Sequence, residues 1–526
     1  MINRKFLVLI LLFTFIILLP ILFLFVESFR NEVGGISLAP LTSLLLTPRQ
    51  IHLMMNSLVL ASGTTISVVV IGVPLAFLIQ RTDVPFSRFF TFAYLIPLLI
   101  PPYMQALIWT KFFVSDSPPN SGVLSTALPS FYSLSGGIFV FTCAFFPYVT
   151  LITLSGLQAI SHSLEEVSLI SKGGLKTIRG VTLPLVTPHI TSAAILVFVF
   201  TLVNFEVADI LRLKVYPIEI FINFSAYYDE KAATVLSLPL IVTSLFLIWW
   251  QMWYMRGKSY VTFGFIKKKT TIFRLGRWRN YFFVFPMIVI VISVIIPIFI
   301  LIKGAGPLEN YVIAFKSSRD QILYSISVSA LASFCMVVFS FAVSYYMERG
   351  KGAIRDLLEF LTQTPFGIPS IVLGIGLIKV WNQPGIDWVY GTSVILIMGY
   401  IAGYSPFVIK IISTKIKQIN SDFEEAGILG TGSWLKVFVR ILIPLSLPGI
   451  FAGFLAGFVL SLSNLGTALL VVAPGRATIP IKIYNLMHYG AEDMVFALSL
   501  ILIVIIAFSL VVLYSVYRLF RLRVRI

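Results

Sequence analysis

The sequence predicts an all-α polytopic membrane protein, with about 12 transmembrane helices in two parallel six-helix repeats. Three observations predict this. The 526 residues are 58% hydrophobic and only 12% charged, about half the charge of an ordinary soluble chain. The apolar residues form long continuous runs, not the alternating segments of about ten residues that a transmembrane β-barrel requires. Segments of the first half recur, in order, in the second. The composition also excludes a disordered chain, which needs low hydrophobicity and high net charge.

A spanning helix takes about 20 apolar residues. Such runs lie near residues 6–26, 56–79, 89–110, 136–157, 189–210 and 232–254, and again near 281–302, 320–346, 357–378, 392–412, 449–472 and 494–517. They must be helical, because lipid gives backbone N–H and C=O groups no partners. The first run has no small-residue cleavage site after it and continues into Glu27-Ser28-Phe29-Arg30, so it reads as a retained span and not a signal peptide. With the N-terminus inside, 26 of the 39 Lys and Arg residues fall on the cytoplasmic side, 12 fall outside and Lys410 lies in a span. This positive-inside excess puts both termini in the cytoplasm. Topology and attraction to anionic membrane lipid account for the net charge of +17 without invoking nucleic acid.

Residues 1–255 and 281–526 form the two repeats, joined by a basic linker at 256–280 that includes Lys267, Lys268 and Lys269. Ile96–Pro101 matches Thr364–Pro369, Phe146-Pro147-Tyr148 matches Ser405-Pro406-Phe407, and Ser163–Val167 matches Asp422–Ala426. Val181–Leu185 matches Ile441–Leu445, and Phe198 through Asn204 matches Phe458 through Asn464. Six spans return the chain to its starting side. The repeats are therefore expected to be parallel, related by an axis along the membrane normal, with a pathway between them.

The most informative segments are the loops at about 158–188 and 413–448, which the topology places in the cytoplasm. One carries Glu165-Glu166-Val167, Ser171, Gly173 and Pro184; the other carries Glu424-Glu425-Ala426, Gly430 and Pro444. Ser161 and Ser163, and Asn420, Ser421 and Asp422, suit helix N-caps with acidic first turns. Each loop reads as a short helix, a glycine that breaks it, and a second amphipathic piece leading to a proline.

These loops resemble the EAA loop of permeases from binding-protein-dependent ABC importers, whose pattern is Glu-Ala-Ala, three residues, Gly, nine residues and Ile-x-Leu-Pro. The first copy has Glu166-Val167 for Ala-Ala and Ser171 for the Gly. The second has Glu425-Ala426 and Gly430, with ten following residues in place of nine. The resemblance covers nearly the whole chain. Pro101–Trp109, Phe146-Pro147-Tyr148 and Ile483–Gly490 are similar to the fused ferric iron importer permeases, whose architecture is shared by thiamine and aminophosphonate permeases.

The resemblance implies a cytoplasmic-membrane transport subunit with no cofactor of its own. A dimer of separate ATP-binding cassette subunits would hold ATP and Mg, and an external binding protein would deliver substrate. It implies that Glu165, Glu166, Ser171, Gly173, Pro184, Glu424, Glu425, Ala426, Gly430 and Pro444 form the coupling surface, and that ATPase closure moves the bundle through both loops. The chain's own residues agree in lacking a G-x-x-x-x-G-K-[ST] loop: Gly257-Lys258-Ser259 has Met252 where the first glycine belongs.

Other constellations carry less chemistry. Cys143 and Cys335 read as small core residues, and His52, His162, His189 and His488 lack metal-ligand spacing. Gly374-Ile375-Gly376 reads as helix packing. No nucleophile–base set argues for an enzyme. An ion-driven transporter would need buried ionisable groups, and apart from Glu206 and Asp209 the spans offer Lys410, with Glu359 and Lys379 near helix ends. Glu206 and Asp209 can share a helical face and offer oxygen ligands to a hard cation; a solvated helix end is the alternative. With Asn204 beside them, and Asn464 and Thr467 at the matching place, they form the candidate substrate path. Tyr227, Tyr228, Asp229 and Glu230, with His488, Tyr489, Glu492 and Asp493, lie outside and are candidates for contact with a binding protein or the ion, or for interfacial anchoring. The pairs Pro97/Pro101 and Pro365/Pro369 are expected to break or kink spans three and nine.

Overall fold

A computed structural model describes residues 4–29, 43–114, 131–160, 162–255, 273–350 and 353–523. The expected cap at Ser161, the Gly257-Lys258-Ser259 tripeptide and the triple lysine of the linker lie outside these residues.

The described residues are all-α apart from one isolated bridge between Thr82 and Phe273. Among them, 10 helices are long and apolar enough to cross a membrane, or up to 12 if each of two bent pairs is one span. The bends fall where the paired prolines stand. Ser87–Leu99 meets Pro102–Phe113 at 93°, and Arg355–Gly367 meets Ser370–Trp381 at 107°. The cause is local. Pro97 and Pro365 open the 3-10 turns Ile96–Leu99 and Thr364–Gly367. Ile100 and Ile368, each preceding a second proline, are forced into extended backbone.

The repeat extends beyond the spans. Pro48–Arg81 corresponds to Arg319–Arg349, and Leu134–Ala159 to Ser393–Lys417. The short helices His162–Lys172 and Asp422–Thr431 follow, and then a matched π turn in each half, Ile178–Thr182 and Phe438–Leu442. A proline ring clashes with the carbonyl four residues earlier. Those carbonyls belong to Gly180 and Arg440, and the widened π turn accommodates the rings of Pro184 and Pro444 there. Ser57 accepts the N–H of Tyr216 at 2.8 Å and so fixes the start of Tyr216–Ser225. Ser325 does the same for Ile479 at 2.8 Å, at the start of Ile479–His488.

The chain forms two compact units that partition it differently from the sequence repeat. One comprises Met1–Arg30 with Pro307–Ile526; the other comprises Asn31–Gly306. Within the first, helix Arg4–Ser28 packs on Arg319–Arg349 and Ser370–Trp381. The rings of Phe13 and Phe339 lie 6.2 Å apart, and a Cβ on Gly376 would lie 2.8 Å from the Pro20 carbonyl oxygen. Within the second, the span Gly276–Ala305 sets Phe283 against Phe86 and Phe90, at 6.0 and 5.7 Å between centroids. Each unit thus takes its opening helix from the other repeat.

Candidate functional site: the paired loops

In the first loop, helix His162–Lys172 ends at Gly173, whose φ of +77° makes the turn. Glu165 points inward and is fully buried. Its carboxylate lies 3.0 Å from the guanidinium of Arg81, itself 1% exposed, and accepts the Thr182 hydroxyl at 2.9 Å. Arg81 is the last residue of Pro48–Arg81 and also donates to the Leu157 carbonyl at 2.6 Å. One buried ion pair therefore ties the loop helix, the π turn and the ends of two spans together.

The second loop repeats the design with different detail. Glu424 accepts Nε of Arg349 at 2.7 Å and the hydroxyl of Tyr345 at 2.9 Å. Arg349 again ends its helix, and it donates to the Ile419 carbonyl at 2.7 Å. Trp434 stacks on Phe438 at 5.1 Å and meets Tyr345 edge-on at 6.2 Å. This pair is more open to solvent, with 21% and 9% of the Arg and Glu side chains exposed.

The two glutamates of each loop therefore divide their work. Glu165 and Glu424 are anchors, whereas Glu166 and Glu425 are exposed, as are Ser171, Ala426 and Pro184; Pro444 is half-buried. The sequence singled out Gly430 as the loop glycine. It lies within helix Asp422–Thr431 with open space around it, and the left-handed turn falls on Gly432, at φ +61°. Gly432→Ala is expected to cost about 1 kcal/mol through left-handed strain; an unchanged thermal midpoint would contradict this. The arginines went unrecognised because they counted only toward topology, although both occupy the same position at the end of a matched span.

With the anchors turned in, the helices present apolar faces outward. Leu164, Val167 and Ile170 are 55%, 69% and 88% exposed, and Phe423 and Leu429 are 59% and 88% exposed. A short loop helix that exposes such residues at matched positions in both repeats has the form of a docking surface.

The end of span Pro48–Arg81, which anchors the first loop, is strapped by residues 273–279. Phe273 donates its N–H to the Arg81 carbonyl at 2.7 Å, and its ring meets Phe77 at 5.7 Å. Asp83 accepts the N–H of Leu275 at 2.9 Å, and its carbonyl accepts Nε of Arg279 at 2.8 Å. Asp83→Ala is expected to speed tryptic cleavage after Arg274 and Arg277; an unaltered digestion rate would show that the strap does not hold the segment.

The candidate path residues sit at matched helix breaks. Asn204 Oδ1 caps the N–H of Val207 at 3.0 Å, where span Leu183–Val203 gives way to Glu206–Ile210. Asn464 Oδ1 accepts Ala468 N–H at 3.1 Å, and its amide donates to the Tyr404 hydroxyl at 2.5 Å. Thr467 donates to the Ser370 carbonyl at 3.4 Å. Glu206 is buried and Asp209 half-buried, each with other interactions. Among the described residues, no group of three or more His, Cys, Asp or Glu could hold a metal ion. Cys143 and Cys335 are free thiols. Tyr227, Tyr228 and Tyr489 are strongly exposed. Asp229 caps helix Glu230–Met255 through Ala232 N–H at 2.8 Å.

Matched broken spans and matched loop helices define a class: a polytopic, all-α, internally duplicated membrane-type protein. Residues 337–526 match the family model described as binding-protein-dependent transport system inner membrane component. The chain is 24% identical over 476 residues to the Fe(3+)-transport system permease protein FbpB 2 of Haemophilus influenzae, covering 88% of this chain and 89% of that protein. It is 23% identical over 537 residues to the ferric transport system permease protein FbpB of Actinobacillus pleuropneumoniae, covering 94% and 75%. It is 25% identical over 227 residues to the putative 2-aminoethylphosphonate transport system permease protein PhnV of Salmonella typhimurium, covering 43% and 85%. The C-terminal part of the chain is thus similar to inner-membrane components of binding-protein-dependent transport, and most of its length is similar to ferric iron transport permeases.

Proposed function

We propose that this chain carries ferric iron across the cytoplasmic membrane by alternating access, in repeats 1–255 and 281–526 joined by the linker 256–280, with both termini cytoplasmic. An external binding protein delivers the cargo. A dimer of separate ATP-binding subunits, holding ATP and Mg, docks on the two loop helices through Glu166, Glu425 and the apolar faces beside them. Closure of that dimer shifts the bundle between outward- and inward-open states as a rigid-body movement. The observation that carries the coupling is the duplicated loop, anchored by an inward-turned, buried Glu paired with an Arg and apolar on its outer side. The similarity to Fe(3+) permeases along most of the chain supports the cargo.

Reconstitution with an ATPase and a binding protein from the same system tests this reading. ATP-dependent accumulation of ferric iron is expected. Uptake driven by a proton gradient without ATPase would replace it with an ion-driven transporter, and selective uptake of 2-aminoethylphosphonate would move the cargo to the chemistry of the shorter match. Glu206→Ala is expected to impair ferric uptake by about tenfold or more, as removal of a buried charged partner does. Normal uptake would take Glu206 out of the path.

A further inference from the structure

The duplicated fold supplies its own control for which buried groups packing requires. Helix Pro102–Val114 follows the break in span three, and Ser370–Trp381 follows the corresponding break in span nine. Aligned on Pro101 and Pro369, Gln105 stands where Leu373 stands, and Trp109 where Leu377 stands. All four side chains are at most 4% exposed. The fold therefore fills these positions with leucine in one copy and with hydrogen-bonding groups in the other.

The amide of Gln105 is fully buried, and neither its Nε2 nor its Oε1 has a hydrogen-bond partner. One turn along the same face, Trp109 Nε1 is also unpaired; its ring packs edge-on against Phe139 at 4.8 Å. Tyr94, before the break, is fully buried with its hydroxyl unpaired. A buried polar group without a partner is destabilising by about 1–3 kcal/mol, and native proteins keep few of them. Here an amide stands where the other repeat buries a leucine. Helix Pro102–Val114 also packs against Glu206–Ile210, the short helix that carries the buried Glu206. At the two acidic positions of that helix the second repeat has Gly466 and Leu469.

We propose that the cargo-selecting site belongs to the first repeat alone, at the junction of these two helices, with the Gln105 amide as a specificity-determining group on the helix that packs against the one carrying Glu206. Its oxygen donors suit a hard cation or the chelate of one. The cargo or its accompanying water completes the amide's hydrogen bonds during passage. The second repeat, leucine at the matching positions, supplies packing and coupling.

This rests on the transport reading above, and the test separates the two. Gln105→Leu copies the residue of the other repeat, and Gln105→Met keeps the unbranched shape. Each is measured in the reconstituted complex, using binding protein loaded with ferric iron. The thermal midpoint is expected to hold or rise, stimulated ATPase activity to stay within about twofold, and iron uptake to fall at least about tenfold, the effect of one unmade hydrogen bond in a dry site. Leu373→Gln, the reverse exchange, is expected to lower the midpoint without changing selectivity. Unchanged uptake in both Gln105 variants overturns the proposal. So does a lowered midpoint in both, which would make the amide a structural group. If wild-type vesicles take up no iron, the iron reading fails by itself; the same variants are then compared on 2-aminoethylphosphonate and putrescine, and equal uptake by wild type and variants overturns the site.

Discussion

Arg81→Met is expected to destabilise the protein by about 3–5 kcal/mol, because it leaves the carboxylate of Glu165 buried without its counter-charge. The variant also loses the bond to the Leu157 carbonyl, so the loop helix and the span ends should loosen together. Arg349→Met should cost clearly less, since solvent reaches that pair and Tyr345 still donates to Glu424. The double replacement Arg81→Met with Glu165→Met should recover most of the loss, as apolar substitutes for a buried pair often do. Thermal unfolding of the detergent-purified protein measures all of these. Equal losses at Arg81 and Arg349 would mean that burial does not set the strength of the anchor.

Glu425→Lys is expected to abolish ATPase activity coupled to transport while leaving insertion and the thermal midpoint intact. Glu425 is exposed, so its replacement removes no packing; it places a cation on the face proposed to dock the ATPase. Leu429→Asp should act in the same direction, because a residue 88% exposed on a loop helix has the position of an interface anchor, worth about 2 kcal/mol or more when lost. Normal coupled activity in reconstituted vesicles carrying either variant would remove this face from the contact. The contrast with Arg81 is diagnostic: one substitution acts through stability, the other through the partner.

The sequence was legible where physics acts along the chain. Long apolar runs require helices and paired prolines force breaks, and both appear; the runs read at 189–210 and 449–472, however, end at Val203 and Leu462 and give way to the short helices Glu206–Ile210 and Gly466–Val471. Repeat matching also located the two loops. It stopped short where the structure depends on distant contacts. Glu165 and Glu166 are adjacent and chemically identical, and only the approach of Arg81, far off in sequence, separates anchor from exposed face. The turn at Gly432 escaped because the pattern draws attention to Gly430, and left-handed backbone has no signature beyond glycine itself. Ser57 and Ser325 carry no sequence signal of their own; their role appears only when Tyr216 and Ile479 arrive beside them. The exchanged opening helices were hidden because hydropathy reports that a segment spans, not which neighbours it chooses.

That exchange bears on how such a chain can be made and divided. A cut in the linker releases two pieces, and each lacks the strand of polypeptide that begins its own bundle. Neither fragment is a self-sufficient product: each must lend a helix and borrow one before either is whole. Synthesis as a single polypeptide guarantees this reciprocal loan in equal amounts, whereas co-expressed fragments 1–255 and 281–526 should be stable only as a pair and be degraded when made alone.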